Sequence, residues 1–242
     1  VASAALAITA NAAFRSPLQH TEGSWLIEPG ESSRAIATRL VASGVVDISP
    51  LVLRAYIRLT SSKGAMKAGE YDLRAADNLL DLVALFRSGR VVQHRITIPE
   101  GLTLEQWRVL LQEDHRLRHV AGKYTDAELA IEVGTNDNLE GWLFPDTYYF
   151  ERGVSDLMIL QRAHEKQKSV LHGAWLARGE NLSIENERET LILASIVEKE
   201  TGYPGDRGLV AGVFHNRLAR NMRLQSDPTV IYGIKNFDGD LR

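Results

Sequence analysis

Cysteine is absent from all 242 residues of this chain, which removes disulfides, thiolate nucleophiles and cysteine-ligated zinc from consideration. The absence does not fix the compartment, because a cysteine-free chain suits both the cytosol and the bacterial envelope. Excess positive charge is also lacking, since the formal net charge is -3. Nucleic-acid-binding surfaces are usually strongly basic, so we expect no nucleic-acid partner.

The start of the chain is apolar but short. Residues 1–14 carry no charge, and the run ends at Arg15, Ser16 and Pro17. A membrane-spanning helix needs about 20 apolar residues, which this run does not supply. The chain begins at Val1 rather than Met. Two interpretations stay open for this leader: the outer end of a single transmembrane anchor or signal segment, and an alanine-rich first helix.

Metal-binding spacings are lacking as well. The polar segment 113–138 includes His115 and His119, but no pattern of paired histidines and carboxylates accompanies them, and it is typical of a solvated helix or loop. His164 and His172 fall on a long amphipathic segment, where surface or packing roles are expected. We predict neither a metal nor a cofactor.

The length allows one large domain or two ordinary ones, and the 44% hydrophobic content is that of a globular protein. Turn and capping residues punctuate the chain into alternating short strands and helices. The predicted order is a strand at 25–27, helices at 33–41 and 51–59, a strand at 69–73, a helix at 79–86, a strand at 91–98, and helices at 103–112 and 154–178. This order predicts an α+β fold.

A Glu-Lys-Glu triplet closes an apolar helix that runs from Leu191 to Glu200. Helical spacing places Glu200 on the same face as Leu193 and Val197, in a stripe that should turn toward a core. Burial and the negative end of the helix dipole would both favour the protonated carboxyl group that a general acid needs. The alternative is an ordinary solvated or ion-paired glutamate, with Glu198 as a second candidate for the acid.

An aromatic-rich segment surrounds a Pro-Asp turn at 140–150. Trp142 could stack on a sugar ring, and Asp146 beside it could bind hydroxyl groups. The competing interpretation is a hairpin whose aromatic rings fill a core.

Further along, Asp227 and Pro228 form a strong helix start, with Asp227 as the expected cap. Capping does not account for Gln225 and Tyr232, whose polar ends flank this start.

Four strings resemble the YceG-like family of endolytic murein transglycosylases, also called MltG. They are Glu140-Gly-Trp-Leu-Phe-Pro-Asp-Thr, Ala194-Ser-Ile-Val-Glu-Lys-Glu-Thr, Val213-Phe-His-Asn-Arg-Leu and Met222-Arg-Leu-Gln-Ser-Asp-Pro-Thr-Val-Ile-Tyr-Gly. They occur in the family's order and spacing, and they cover residues 140–233 densely. The N-terminal half of the chain resembles the family more loosely.

The resemblance implies a single-pass protein of the bacterial inner membrane, with its catalytic part in the periplasm and a role in cell-wall biogenesis. It makes residues 1–21 the remnant of a membrane anchor, 22–93 a small LysM-like module and 94–242 a mainly helical YceG-like catalytic domain. Peptidoglycan glycan strands are the implied partner, and peptidoglycan synthases are further candidates. The family continues beyond Arg242 through segments that line its cleft, so we expect the catalytic domain here to be C-terminally incomplete.

The resemblance also implies a lyase reaction. Glu200 would protonate the oxygen between MurNAc and GlcNAc and then, as a carboxylate, take the proton of the sugar's own C6 hydroxyl, whose attack leaves a 1,6-anhydro end. Because the nucleophile belongs to the same sugar, proximity replaces a second carboxylate. The residues that we expect to contact the glycan or support the catalytic helix are Glu198, Asn216, Gln225, Asp227, Thr229, Tyr232, Trp142 and Asp146.

Two other functions stay open. A hydrolase would need a second carboxylate, for which Glu198, Asp146 and Asp227 are candidates. A non-catalytic envelope scaffold would instead bind glycan or synthases through the N-terminal module, without any need for Glu200.

Overall fold

The computed structural model describes residues 14–19 and 22–234, so most of the leader and the last eight residues lie outside the described part of the chain. The predictions of a membrane anchor at 1–21 and of an incomplete C-terminus concern mainly those residues. Among the described helices, none combines the length and apolar character needed to cross a bilayer. The fold mixes helices with a few short strands, which confirms the predicted α+β class.

Two compact units divide the described residues. The first runs to His94 and also takes in Tyr149–Arg152, and the second comprises Arg95–Tyr148 and the residues from Gly153 onward. The sequence-based assignment of these regions to a LysM-like module and a YceG-like domain stays a prediction.

The first unit follows the predicted order of strands and helices. It contains β1 (Ser24–Ile27), α1 (Ser33–Ala42), α2 (Pro50–Leu59), β2 (Gly69–Asp72) and α3 (Leu79–Ser88). Strands β1 and β2 pair antiparallel, with Trp25 opposite Tyr71. The helices begin and end where local chemistry directs: Ser32 caps α1, Asn78 caps α3, and Gly89 ends α3 in the left-handed conformation. Apolar side chains from all these elements form the core of the unit.

A charged residue is buried on β2 of this unit. Glu70, on β2, is only 6% exposed and accepts hydrogen bonds from the Ser24 hydroxyl, from His94 Nε2 at 2.6 Å and from Arg152 Nε at 2.8 Å. Burial alone would raise its pKa, but the three donors outweigh burial and lower the pKa of Glu70 to about 2. The carboxylate therefore ties β2 to β1, to His94 and to the returning segment at Arg152.

The second sheet is a pair of short strands, β3 (Gln93–Thr97) and β4 (Thr147–Glu151). This pairing corrects the alternative interpretation of 140–150 as a hairpin, because the aromatic segment supplies only one strand and its partner lies about 50 residues earlier. The rings on β4 alternate as strand geometry requires, with Tyr148 and Phe150 buried and Tyr149 exposed.

The second unit is mainly helical. It contains α4 (Leu104–Glu113), α5 (Asp126–Val133), α6 (Asp156–Leu176), α7 (Glu187–Glu200), α8 (Arg207–Ala219) and α9 (Asp227–Gly233). Thr103 and Thr125 begin α4 and α5 with reciprocal capping boxes. Asp156, 2% exposed, accepts the backbone N–H groups of Val120 at 2.9 Å and of Ala121 at 3.0 Å, which anchors the polar loop to the start of α6.

Candidate active site

The Glu-Lys-Glu triplet forms the last turn of α7, as the sequence predicted. Leu193 and Val197 on this helix are buried and pack with Phe214 of α8 in a small core. Glu200 is exposed, so the prediction that it would be buried with this stripe is wrong. The reason is that the small core of Leu193, Val197 and Phe214 ends one turn before Glu200.

Glu200 is nevertheless held in place. Its Oε1 atom accepts a hydrogen bond from the hydroxyl of Ser226, which is only 3% exposed and directly precedes α9. A hydroxyl can donate to a carboxylate and to the carbonyl oxygen of a protonated carboxyl group, so Ser226 can hold Glu200 in both protonation states. The carboxyl group is thereby fixed from the α9 side while the residue stays open to solvent.

The start of α9 differs from the prediction. Asp227 is the first residue of the helix rather than its cap, and the N-cap position belongs to Ser226, whose side chain makes no capping hydrogen bond. The Ser226 hydroxyl is instead committed to Glu200, while its carbonyl oxygen accepts the Thr229 hydroxyl at 2.7 Å. Ser226 is thus the residue that sequence reasoning missed, although a serine before Asp-Pro is a signal for an N-cap.

Glu198, the second candidate acid, is engaged elsewhere. Its Oε2 atom lies 2.9 Å from Nη2 of Arg207, at the start of α8. On the same turn, Lys199 lies beside the Pro99-Glu-Gly turn, where a Cβ atom added to Gly101 would come within 3.4 Å of the lysine ammonium nitrogen. The two carboxylates of the triplet therefore have different environments: Glu198 is paired with a cation and Glu200 with a neutral hydroxyl.

The other predicted contact residues of this region are exposed on α8, α9 and the loop between them. They are Asn216, Gln225, Asp227, Thr229 and Tyr232. Gln225 has a positive φ of 52°, which turns the chain immediately before Ser226. Tyr232 has a raised pKa, caused by partial burial and by the negative charge of Glu140.

Glu140 itself has a structural role that the sequence did not reveal. Its Oε2 atom accepts the backbone N–H of Leu104 at 2.8 Å, where α4 begins. Carboxylates stabilise helix N-termini by satisfying free N–H groups and by opposing the helix dipole. The conformation of the string that follows Glu140 is therefore linked to the position of α4.

Trp142 and Asp146 lie apart from the triplet. Asp146 forms an ion pair with Lys166 on α6, and this contact, with the Thr147 N–H, lowers the pKa of Asp146. Trp142 is half-buried, and its carbonyl oxygen lies 3.1 Å from Nδ1 of His164. In the described part of the chain, neither residue is hydrogen-bonded or ion-paired to Glu200. No three histidine or acidic side chains converge there on a point suited to a metal ion.

The candidate site is thus a carboxyl group at the end of α7, that of Glu200, held by the buried Ser226. The chain matches the model of the YceG-like family over residues 26–242, and it belongs to that family. This finding confirms the resemblance seen in the four strings.

Two relatives are both named endolytic murein transglycosylase. The protein from Streptococcus pneumoniae R6 is 29% identical over 238 residues, covering 85% of this chain and 42% of the relative. The protein from Bacillus subtilis 168 is 29% identical over 224 residues, covering 85% of this chain and 61% of the relative. The chain therefore spans about two fifths to three fifths of these relatives.

A solved structure is also similar, that of a YceG-like protein from Listeria monocytogenes. It shares 26% sequence identity at a TM-score of 0.48, over 91% of this chain and 78% of that one.

Proposed function

We propose that this chain carries the catalytic region of an endolytic lytic transglycosylase, which cleaves the β-1,4 bond between MurNAc and GlcNAc in nascent peptidoglycan and leaves a 1,6-anhydro-MurNAc end. Family membership and the names of the relatives support the reaction class. The observation that carries the assignment of Glu200 is its geometry: the carboxyl group is accessible, yet Ser226 fixes one of its oxygens.

In this mechanism Glu200 gives its proton to the glycosidic oxygen as the bond from that oxygen to C1 breaks. The resulting carboxylate takes the proton of the C6 hydroxyl, whose oxygen forms the new bond to C1. Glu200 ends protonated, as it began, and no water is consumed. Because the nucleophile is already tethered to the reacting ring, no second protein carboxylate is needed. The Ser226 hydroxyl donates to Oε1 in both states, so the proton that Glu200 gives and regains is carried by Oε2.

The proposal also assigns glycan contact near Glu200 to exposed residues of α8, α9 and the loop between them. In this proposal Asn216, Gln225 and Tyr232 offer polar ends to sugar hydroxyl and acetamido groups, while Asp227 and Thr229 stabilise the start of α9 and with it Ser226. Glu198 supports the catalytic helix through Arg207 rather than by proton transfer. Trp142 and Asp146 would contact the strand farther along.

The remaining parts of the proposal concern the protein's setting. From the family resemblance we propose a LysM-like role in glycan contact for the first unit and a single-pass anchor in the inner membrane. We also propose a periplasmic location for the catalytic part and contacts with peptidoglycan synthases.

Mass analysis of digested peptidoglycan tests the reaction. The protein and its Glu198→Gln variant should release fragments with 1,6-anhydro ends, each one water lighter than a reducing end, and the Glu200→Gln variant should release none. Reducing ends would support a hydrolase, and equal release by the Glu200→Gln variant would remove Glu200 from its role. Glycan binding without release by any form would favour the scaffold function.

A further inference from the structure

The loop between α8 and α9, residues 220–226, brings Ser226 to Glu200. Two of its residues have left-handed backbone conformations although neither is glycine: Asn221, with a φ of 54°, and Gln225, with a φ of 52°. Asparagine tolerates this region well, whereas glutamine adopts it when neighbouring contacts hold the backbone there. Because Gln225 directly precedes Ser226, the contacts that hold its backbone also set the position of the Ser226 hydroxyl.

Arg217, in the last turn of α8, contacts this loop at two points. Its Nη1 atom donates a hydrogen bond to the carbonyl oxygen of Leu224. Its own carbonyl oxygen accepts the backbone N–H of Met222 at 2.8 Å. The guanidinium group therefore holds the peptide unit that joins Leu224 to Gln225, while the backbone of Arg217 holds the start of the loop.

Leu224 is also held by packing. Its partly buried side chain packs against the small core that α7 and α8 share. The core contact and the guanidinium group thus fix Leu224 two residues before the serine that bonds to Glu200. Removal of the guanidinium group alone leaves the core contact in place, so the loop can lose its orientation while the helices stay packed.

We infer that Arg217 is a positioning residue that acts on the reaction through Ser226. Among the described residues it forms no hydrogen bond or ion pair with Glu200, so its effect on that carboxyl group is indirect. The inference rests on the proposed function and deepens it. It requires that the Arg217 guanidinium group affect the rate only while Ser226 has a hydroxyl to position. A residue that merely stabilised α8 would affect the rate equally with or without that hydroxyl.

The test is a double-mutant cycle of Arg217→Met and Ser226→Ala, measured by the rate of glycan cleavage. Methionine keeps an unbranched side chain but donates no hydrogen bond. Arg217→Met should lower kcat about tenfold, the equivalent of one hydrogen bond, and leave KM unchanged. The double variant should be no slower than Ser226→Ala alone. Arg217→Lys, which keeps the charge and a donor, should show a smaller and equally non-additive loss, and it decides the matter if Arg217→Met does not fold.

Arg220→Met is the matched control. Arg220 directly follows α8 and is exposed, and its side chain forms no hydrogen bond or ion pair with the rest of the described chain, so this variant should cleave at the parent rate. Independent losses in the double variant would overturn the inference. A higher KM without a lower kcat would also overturn it, since that result would assign Arg217 to glycan contact.

Amide hydrogen exchange tests the same contact without any reaction. The N–H of Thr229 donates to the carbonyl oxygen of Ser226 at 3.2 Å, and Arg217→Met should accelerate its exchange about tenfold. Exchange at Thr190, near the start of α7, should not change. Unchanged exchange at Thr229 would overturn the inference even for a protein that cleaves no glycan. The role of Glu200 and the reaction type are decided separately, by the Glu200→Gln variant and the product ends.

Discussion

The Ser226 hydroxyl is hydrogen-bonded to Glu200 across 26 positions of sequence, and it links the last turn of α7 to the first turn of α9. Ser226 is buried and positions the carboxyl group, whereas Glu200 is exposed and available for reaction. The proposed mechanism requires this division of roles, because a proton donor must keep its orientation while it meets a large substrate.

Substitution of Ser226 by Ala should lower the rate of peptidoglycan cleavage about tenfold, since it removes one hydrogen bond to a group that becomes charged during the reaction. The loss should fall on kcat, and Ser226→Thr, which keeps a hydroxyl, should restore part of it. The measurement is the rate of release of anhydro fragments. Ser195→Ala is the control, because the Ser195 hydroxyl is exposed and bonds only within α7, to the carbonyl oxygen of Ile192. An unchanged rate in Ser226→Ala would contradict the positioning role.

Glu198→Gln should retain anhydro products, because its carboxylate pairs with Arg207 at 2.9 Å and has no step in the proposed reaction. The pair is partly exposed, so its loss should reduce the free energy of unfolding by at most about 1 kcal/mol. Denaturant unfolding would measure the stability, and mass analysis would identify the products. A switch from anhydro to reducing ends, or complete inactivity in a folded variant, would assign the second carboxylate of a hydrolase to Glu198.

The buried network around Glu70 should make stability depend on acid pH. Its pKa is lowered in the folded state to about 2 from an ordinary 4.5, so its stabilisation is complete above pH 4.5 and is lost as the pH falls toward 2. Glu70→Gln should therefore reduce the free energy of unfolding on the order of 3 kcal/mol at pH 7 and by much less at pH 2 to 3. Urea unfolding at both pH values would measure this. Asp72→Asn is the control, because its ion pair with Arg74 is largely exposed.

If the free energy of unfolding differed between the Glu70→Gln variant and the parent by the same amount at both pH values, this explanation would be contradicted. It would assign the effect to packing rather than to the ionised carboxylate.

Asp156→Ala should destabilise the second unit by about 2 to 4 kcal/mol. It would leave the N–H groups of Val120 and Ala121 without the acceptor that now serves both. Thermal unfolding would show the loss, and amide exchange should accelerate first at those two residues. Asp126→Asn is the matched control, because Asp126 is 70% exposed and pairs only with Arg108 at the surface. A similar loss in both variants would contradict the special role of Asp156.

Local chemistry let the sequence determine where most elements begin and end. Ser32 caps α1, Thr103 caps α4, Gly89 ends α3, and α7 stops at Glu200, because capping and left-handed termination depend on a few neighbouring residues. The family strings likewise identified the chain's relatives without coordinates, because motif order is a property of the sequence alone.

Tertiary structure decided what those elements meet. Helical periodicity placed Glu200 on an apolar stripe, but its exposure depends on where the packed core ends along α7, which no period specifies. The pairing of β3 with β4 and the diversion of Ser226 from capping to Glu200 are likewise contacts between distant segments. A sequence records which side chains are available, whereas the direction of a hydroxyl or carboxylate is set by the groups that packing brings within hydrogen-bonding distance.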